Sequence, residues 1–300
     1  MTETQTNSPF PYVRDLGETI TAVLDFIRGH FSKLLQVFLI MVAPLSLVTG
    51  SVATFFTDSI TNISIELNQS GDMSNFSDMM VLIFIIYAIS LLTTSMNITV
   101  STEYCISIHK NGSENFSLGS FCKHCFKRYP SNIITTLVSA LMVIVGCVFC
   151  LLPGIYIAIP LAQIFAVRAN ERSSLTDSIG RCFTIIKGSW WSTFGLSLVV
   201  GVTIFILMMG LYVPLALFGI VKNTFSTSVE PSTISSNMSI ISILITVLVG
   251  IVNQFFVSSI YITHVFRYFS LAEQNDGVSM YSQIDKIGTS HDSNLPEETY

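Results

Sequence analysis

Six long apolar segments, separated by charged or turn-forming connectors, constrain this chain more than any other feature. They run from Leu34 to Phe56, Met79 to Val100, Ile133 to Leu152, Gly154 to Val167, Thr193 to Val221 and Ser239 to Thr263. About 20 apolar residues in a helix cross the hydrocarbon core of a bilayer, and irregular backbone there would leave peptide groups without partners. Strands of a barrel would alternate in polarity, and these segments do not. The expected fold is all-α: a polytopic membrane protein with six transmembrane helices. Composition agrees, because a 300-residue chain that is 50% hydrophobic and 11% charged has too few ionisable groups to cover a soluble globule.

Insertion energetics tolerate some polarity within these helices. Ile240 to Ile260 holds fourteen Leu, Ile, Phe or Val residues, worth roughly −4 to −8 kcal/mol of insertion free energy. Asn253 and Gln254 can therefore be carried into the membrane. The short segment from Gly154 follows its predecessor after Leu152-Pro153-Gly154, a combination that predicts a tight turn and a helical hairpin.

Basic residues fix the orientation. Of the 14 Lys and Arg residues, only Lys222 falls on the side opposite the rest, which cluster before the first segment, between the second and third, between the fourth and fifth, and after the sixth. By the positive-inside rule both termini are cytoplasmic. Residues 1 to 30 contain no continuous apolar run, so no secretory signal is expected and insertion falls to the first transmembrane helix. A single membrane domain over residues 13–271 is flanked by polar residues 1–12 and an acidic stretch, 272–300, both expected to be disordered. The outer loop from Thr57 to Asp78 is acidic, and its Asn-X-Ser matches at Asn62, Asn68 and Asn75 arise easily by chance in so Asn- and Ser-rich a stretch. All six cysteines fall on the cytoplasmic side or in the bilayer, which predicts reduced thiols.

A repeat emerges when the stretches before the first, third and fifth segments are aligned without gaps. Ile20, Val23, Leu24, Ile27 and Phe31 match Leu118, Phe121, Cys122, Cys125 and Tyr129, and then Ile179, Cys182, Phe183, Ile186 and Trp190. The spacing describes one face of a helix, and the last position is aromatic in each copy. Asp15 with Glu18, Ser117, and Ser174 with Asp177 provide helix starts. The predicted unit is an amphipathic helix in the cytoplasmic interface followed by two membrane helices, and three parallel units imply a pseudo-threefold axis along the membrane normal.

From Phe116 to Gly201 the sequence resembles a bacterial family of six-helix membrane proteins that includes YciC-like proteins and the membrane domain of some glycerophosphodiester phosphodiesterases. The resemblance rests on Leu152-Pro153-Gly154 between two helices, Glu171 after the second, and Ser174 to Trp191 with Lys187-Gly188 before the tryptophans. It implies the six-helix fold and a bacterial inner-membrane location. The phosphodiesterase activity is not expected to carry over, because these 300 residues leave no room for that family's separate soluble domain.

Candidate chemistry is sparse. Cys122-Lys-His-Cys125 lacks the second ligand pair of a zinc site, and both cysteines fall on the apolar face of the repeat, so packing is the expected role. Cys147 and Cys150 are read the same way. Asn97, Gln163, Asn253 and Gln254 lie within the even-numbered helices, with Glu103 and Glu171 at cytoplasmic helix ends. Such groups face a bundle interior or water. They line a solute path in one reading and join helices in the other, where Glu103 pairs with His264 or Arg267. Kinks are expected at Pro44, Pro160 and Pro214. No phosphate loop, HExxH helix or GxSxG elbow is present, and no cofactor or metal is expected. The expected protein is non-enzymatic, with a structural, regulatory or envelope-maintenance role, and its cytoplasmic cations contact anionic lipid. The alternative is a small-solute transporter or channel along the repeat axis.

Overall fold

The computed structural model describes residues 14–70, 76–112, 117–149, 151–226 and 234–277. Among these residues the regular structure is entirely helical: α1 Leu16–Met41, α2 Ala43–Ser70, α3 Phe76–Asn111, α4 Leu118–Phe149, α5 Leu151–Leu161, α6 Ile164–Glu171, α7 Leu175–Ile185, α8 Trp190–Ser226 and α9 Ile234–Asp276. Five spans are long and apolar enough to cross a membrane, and the bent pair of α1 and α2 brings the number up to six. The chain is a multi-pass membrane protein.

Proline and glycine decide where helices bend and meet. Between α1 and α2 the axis turns by 51°. Pro44, the second residue of α2, lacks an N–H and its ring crowds the Ile40 carbonyl. Pro160 precedes the break at Ala162–Gln163 that separates α5 from α6, whereas α8 continues as helix through Pro214. The expected hairpin forms between α4 and α5, one step earlier than predicted: Leu152, Pro153 and Gly154 already belong to the first turn of α5. That position suits Pro153, because first-turn N–H groups have no intrahelical acceptor. A Cβ on Gly146 would lie 2.9 Å from the Cα of Gly154, and one on Gly154 would lie 2.8 Å from the Cys147 backbone nitrogen. Only glycines allow the two helices to approach this closely.

The three amphipathic stretches are all helical, but only the third is a helix of its own. In α7 the Ser174 hydroxyl accepts from the Asp177 N–H at 3.2 Å, and the chain turns after it at Gly188, whose φ is +85°. The first stretch runs unbroken through Phe31 into the rest of α1, and the second runs through Pro130 into the rest of α4. The first stretch has Gly29 in the register of Gly188, yet its backbone stays helical there, and the second has Lys127 at that position. The expected separation of interfacial from transmembrane helix therefore holds only for α7. Likewise α2 continues to Ser70 and α3 begins at Phe76, so the expected outer loop from Thr57 to Asp78 is largely helix.

Burial concentrates where the end of α3, the start of α4, α6 and α7 come together with the end of α9. Tyr104 of α3, Phe121 of α4, Phe26 of α1 and Phe266 of α9 form its centre, with the Phe26 ring 5.4 Å edge-on to Phe266 and 6.1 Å from Tyr104. Every residue of α9 from Ile262 to Leu271 is buried. The acidic tail expected from residue 272 begins later, because α9 continues through Asp276, where its carboxylate takes up Arg181. Residues 1–12 and most of 272–300 lie outside the described residues.

Candidate functional site

Glu103 lies at the buried end of α3 with 4% of its surface exposed. His124 and Arg128 are one turn apart on α4, so both side chains project from one face toward it. His124 Nε2 lies 3.1 Å from Glu103 Oε2, and Arg128 Nε donates to Oε1 at 3.1 Å. Arg128 also donates to the Arg168 and Ala169 carbonyls, at 3.2 and 3.3 Å, near the end of α6. One carboxylate and one guanidinium thereby join α3, α4 and α6. The sequence-based pairing of Glu103 with His264 or Arg267 is corrected: α4 reaches it first.

Beside Glu103 a cavity of about 740 Å³ opens between the same helices. Its charged lining is Lys110, Lys127, Arg128 and Arg172 against Glu103. Ser107, Ser117 and Ser120 add hydroxyls. Arg172 follows α6 in the left-handed region, φ 52°, the conformation that closes many helix ends. Among the described residues no carboxylate comes within ion-pair distance of Lys110, Lys127 or Arg172. Like charges held round one cavity repel each other, and low-dielectric walls strengthen the positive field inside it.

Glu171 belongs to a different cluster. Its Oε1 accepts from Arg181 Nε at 3.3 Å and from the Tyr268 hydroxyl at 2.9 Å, while Asn170 Nδ2 donates to the same tyrosine oxygen at 3.1 Å. Burial pulls the Arg181 pKa down, but hydrogen bonds to Asp276 and Glu171 outweigh it and raise the pKa above its ordinary value. Next to it, burial pushes the Cys182 thiol up to about 12, which suits a packing residue rather than a nucleophile.

The intramembrane amides bond to other helices. Asn97 Nδ2 donates to the backbone and side-chain oxygens of Gln254 at 2.8 and 2.9 Å, joining α3 to α9. Gln163 Nε2 meets His264 Nδ1 at 3.1 Å, joining the α5–α6 break to α9. Arg267 donates to Thr193 Oγ1 at 3.1 Å and Ser192 Oγ at 2.9 Å, fixing α9 to the start of α8. Asn253 precedes Gln254 on α9 and is partly buried. The basic cavity has none of Asn97, Gln163 or Asn253 in its lining.

Of the polar candidates for a solute path, Asn97, Glu103, Gln163, Glu171, Asn253, Gln254, His264 and Arg267, only Glu103 lines the cavity. Lys110, His124, Lys127, Arg128 and Arg172 were missed as a group because the sequence places them only on one side of the membrane, not beside one another. The four-residue spacing of His124 and Arg128 was the one available signal. Cys125 is buried in the core and Cys122 partly so, while His124 turns to Glu103. Among the described residues, no three His, Cys, Asp or Glu side chains gather as a metal-ligand set. Compared with protein-family models, curated proteins and solved structures, the chain matches none.

Proposed function

We propose that this is a non-enzymatic protein of the bacterial inner membrane, acting at the basic end of its bundle, with both termini cytoplasmic and that end against anionic headgroups. The observation that carries the reading is a division of polar groups. Asn97 Nδ2 and Gln163 Nε2 are engaged by Gln254 and His264, whereas Lys110, Lys127 and Arg172 have no carboxylate within ion-pair distance among the described residues. A solute path along the helix axis would need those amides turned toward water instead.

The sequence resemblance to six-helix inner-membrane proteins supports the location, and the distribution of Lys and Arg supports the orientation. A threefold arrangement is part of the proposal. Val23, Phe121 and Cys182 occupy the same position of the aligned stretches, and each is buried in the common core. The role is structural or regulatory: the basic end would register the charge of the leaflet it faces.

The test is thermal unfolding of the full chain in nanodiscs of phosphatidylcholine, with and without phosphatidylglycerol. Anionic lipid is expected to raise the midpoint, and high salt to remove the gain, because surface electrostatics are screened within a Debye length. A midpoint indifferent to lipid charge would overturn the reading.

A further inference from the structure

We propose that the cavity between α3, α4 and α6 is a saturable binding site for a phosphate monoester, either on a lipid headgroup or on a small soluble molecule. The inference deepens the reading of the basic end as a surface for anionic groups and rests on it.

Charge comes first. Four cations and one carboxylate line the cavity, and the carboxylate of Glu103 is already engaged on both oxygens by His124 and Arg128. The lining keeps an excess of three positive charges, counting histidine as neutral. Glu114, in the α3–α4 connector outside the described residues, would still leave an excess if it turned inward. A phosphodiester carries one charge and a carboxylate one. A phosphate monoester carries nearly two near neutral pH and presents three strong acceptor oxygens.

The donors match that shape. Arg128 is held by Glu103 through Nε and by the end of α6 through Nη2, so its remaining nitrogen, Nη1, is an ordered donor, and Arg172 provides the planar fork. Guanidinium groups bind phosphate through paired hydrogen bonds, and ammonium groups such as Lys110 and Lys127 add point charge. Ser117 and Ser120 sit at the start of α4, a 32-residue helix whose first N–H groups precede any intrahelical acceptor and add positive potential to that wall. The donor set exceeds what the two oxygens of a carboxylate can accept.

Size and lining set the remainder of the ligand. At about 740 Å³ the cavity falls in the range of sites for whole small molecules and leaves ample room beside a phosphate group. Ile106 and Phe121 provide an apolar wall for an organic substituent. The cavity lies at the end of the bundle that carries the basic connectors, where a lipid phosphate and a dissolved phosphate ester are both within reach.

The experiment uses the full chain in phosphatidylcholine nanodiscs, with two arms read by calorimetry or native mass spectrometry. One arm titrates glycerol 3-phosphate, and the other compares discs containing phosphatidic acid with discs containing phosphatidylglycerol. Saturable binding in either arm is expected, and the arm that responds identifies the source. Lys127→Gln combined with Arg172→Asn should weaken binding by about tenfold or more, since two charge-assisted contacts are lost. Asparagine is chosen because it tolerates left-handed backbone. Lys123→Gln, on the same helix but outside the cavity lining, should change binding by less than about twofold. If the double variant misfolds, Lys110→Gln replaces it with the same expectation. Two results would overturn the site: no saturable binding in either arm, or an equal loss in the Lys123 variant. In the first case phosphatidylglycerol can still stabilise the protein, so the site would fall while the broader reading stood.

Discussion

At the basic end of the bundle α3, α4 and α9 are packed as in a water-soluble core, whereas toward the opposite end the same helices turn large apolar side chains outward. Tyr104, Phe266 and Leu271 are essentially inaccessible, yet Phe84 is 74% and Phe149 84% exposed outside a bilayer. The polar groups divide in the same way. Glu103, His124, Arg128, Glu171 and Arg181 connect helices at the basic end, while toward the far end the α4–α5 seam depends on Gly146 and Gly154. Lipid solvates the far half, so helices there need only narrow seams, and association rests on close packing rather than on the hydrophobic effect. Stability and recognition should therefore both concentrate at the basic end.

The largest effect is expected where a buried charge loses its partner. Glu103→Ala leaves Arg128 and His124 without their carboxylate, and breaking a buried pair costs 3–5 kcal/mol in measured cases. Arg128 is partly exposed and keeps two carbonyl acceptors, so a loss of about 2–3 kcal/mol is expected, seen as a lower unfolding midpoint in detergent. An unchanged midpoint would mean that the basic end is not held by this pair. The far end has its own weak point in Gly154→Ala, whose new methyl meets the Cys147 backbone. Overpacking of this kind costs about 1–3 kcal/mol. The same midpoint measures it, and a neutral result would show that the α4–α5 seam is looser than its glycines imply.

Asn97→Val tests the seam between the halves. Interhelical hydrogen bonds of this type average about 0.6 kcal/mol. A loss of that size is expected, because Gln254 keeps its backbone partners within α9 even as its side-chain oxygen loses a donor. The same variant reconstituted into liposomes should leave the permeability to small solutes unchanged. A large change in permeability with little change in midpoint would instead revive the solute path.

How legible this was depends on the range of the interactions involved. The spans follow from hydropathy, a local property, and the hairpin follows from Pro153 and Gly154 within one turn. The helix boundaries were less legible: three stretches with the same apolar face read as three separate helices, but only the third ends, at Gly188, while Gly29 in the same register of the first stretch stays helical, so a glycine alone does not mark the break. Glu103 stood out as a carboxylate at a helix end. Its partners did not, because His124 and Arg128 reach it only after α3 and α4 pack, and the sequence offered His264 and Arg267 as equally plausible neighbours. The cavity was least legible of all. It assembles Lys110 from the end of α3, Lys127 from α4 and Arg172 from beyond α6, residues that share only a charge and a side of the membrane.

The smallest expected effect tests the comparison from its quiet side. Phe84→Leu removes part of an aromatic ring that faces outward from α3, and lipid replaces the lost contacts with its own methylenes. Phe266→Leu makes the same chemical change where the ring sits edge-on to Phe26, and no lipid can refill that space. The Phe84 variant should stay within about 0.5 kcal/mol of the parent, as substitutions away from packed features do. The Phe266 variant should lose about 1 kcal/mol, the centre of the distribution for point changes. Both are read as unfolding midpoints in one detergent, so the difference between them is more secure than either value. If the two variants fell equally, the outward face of α3 would be packed against something other than lipid, and the far half of the bundle would need a protein partner to explain it.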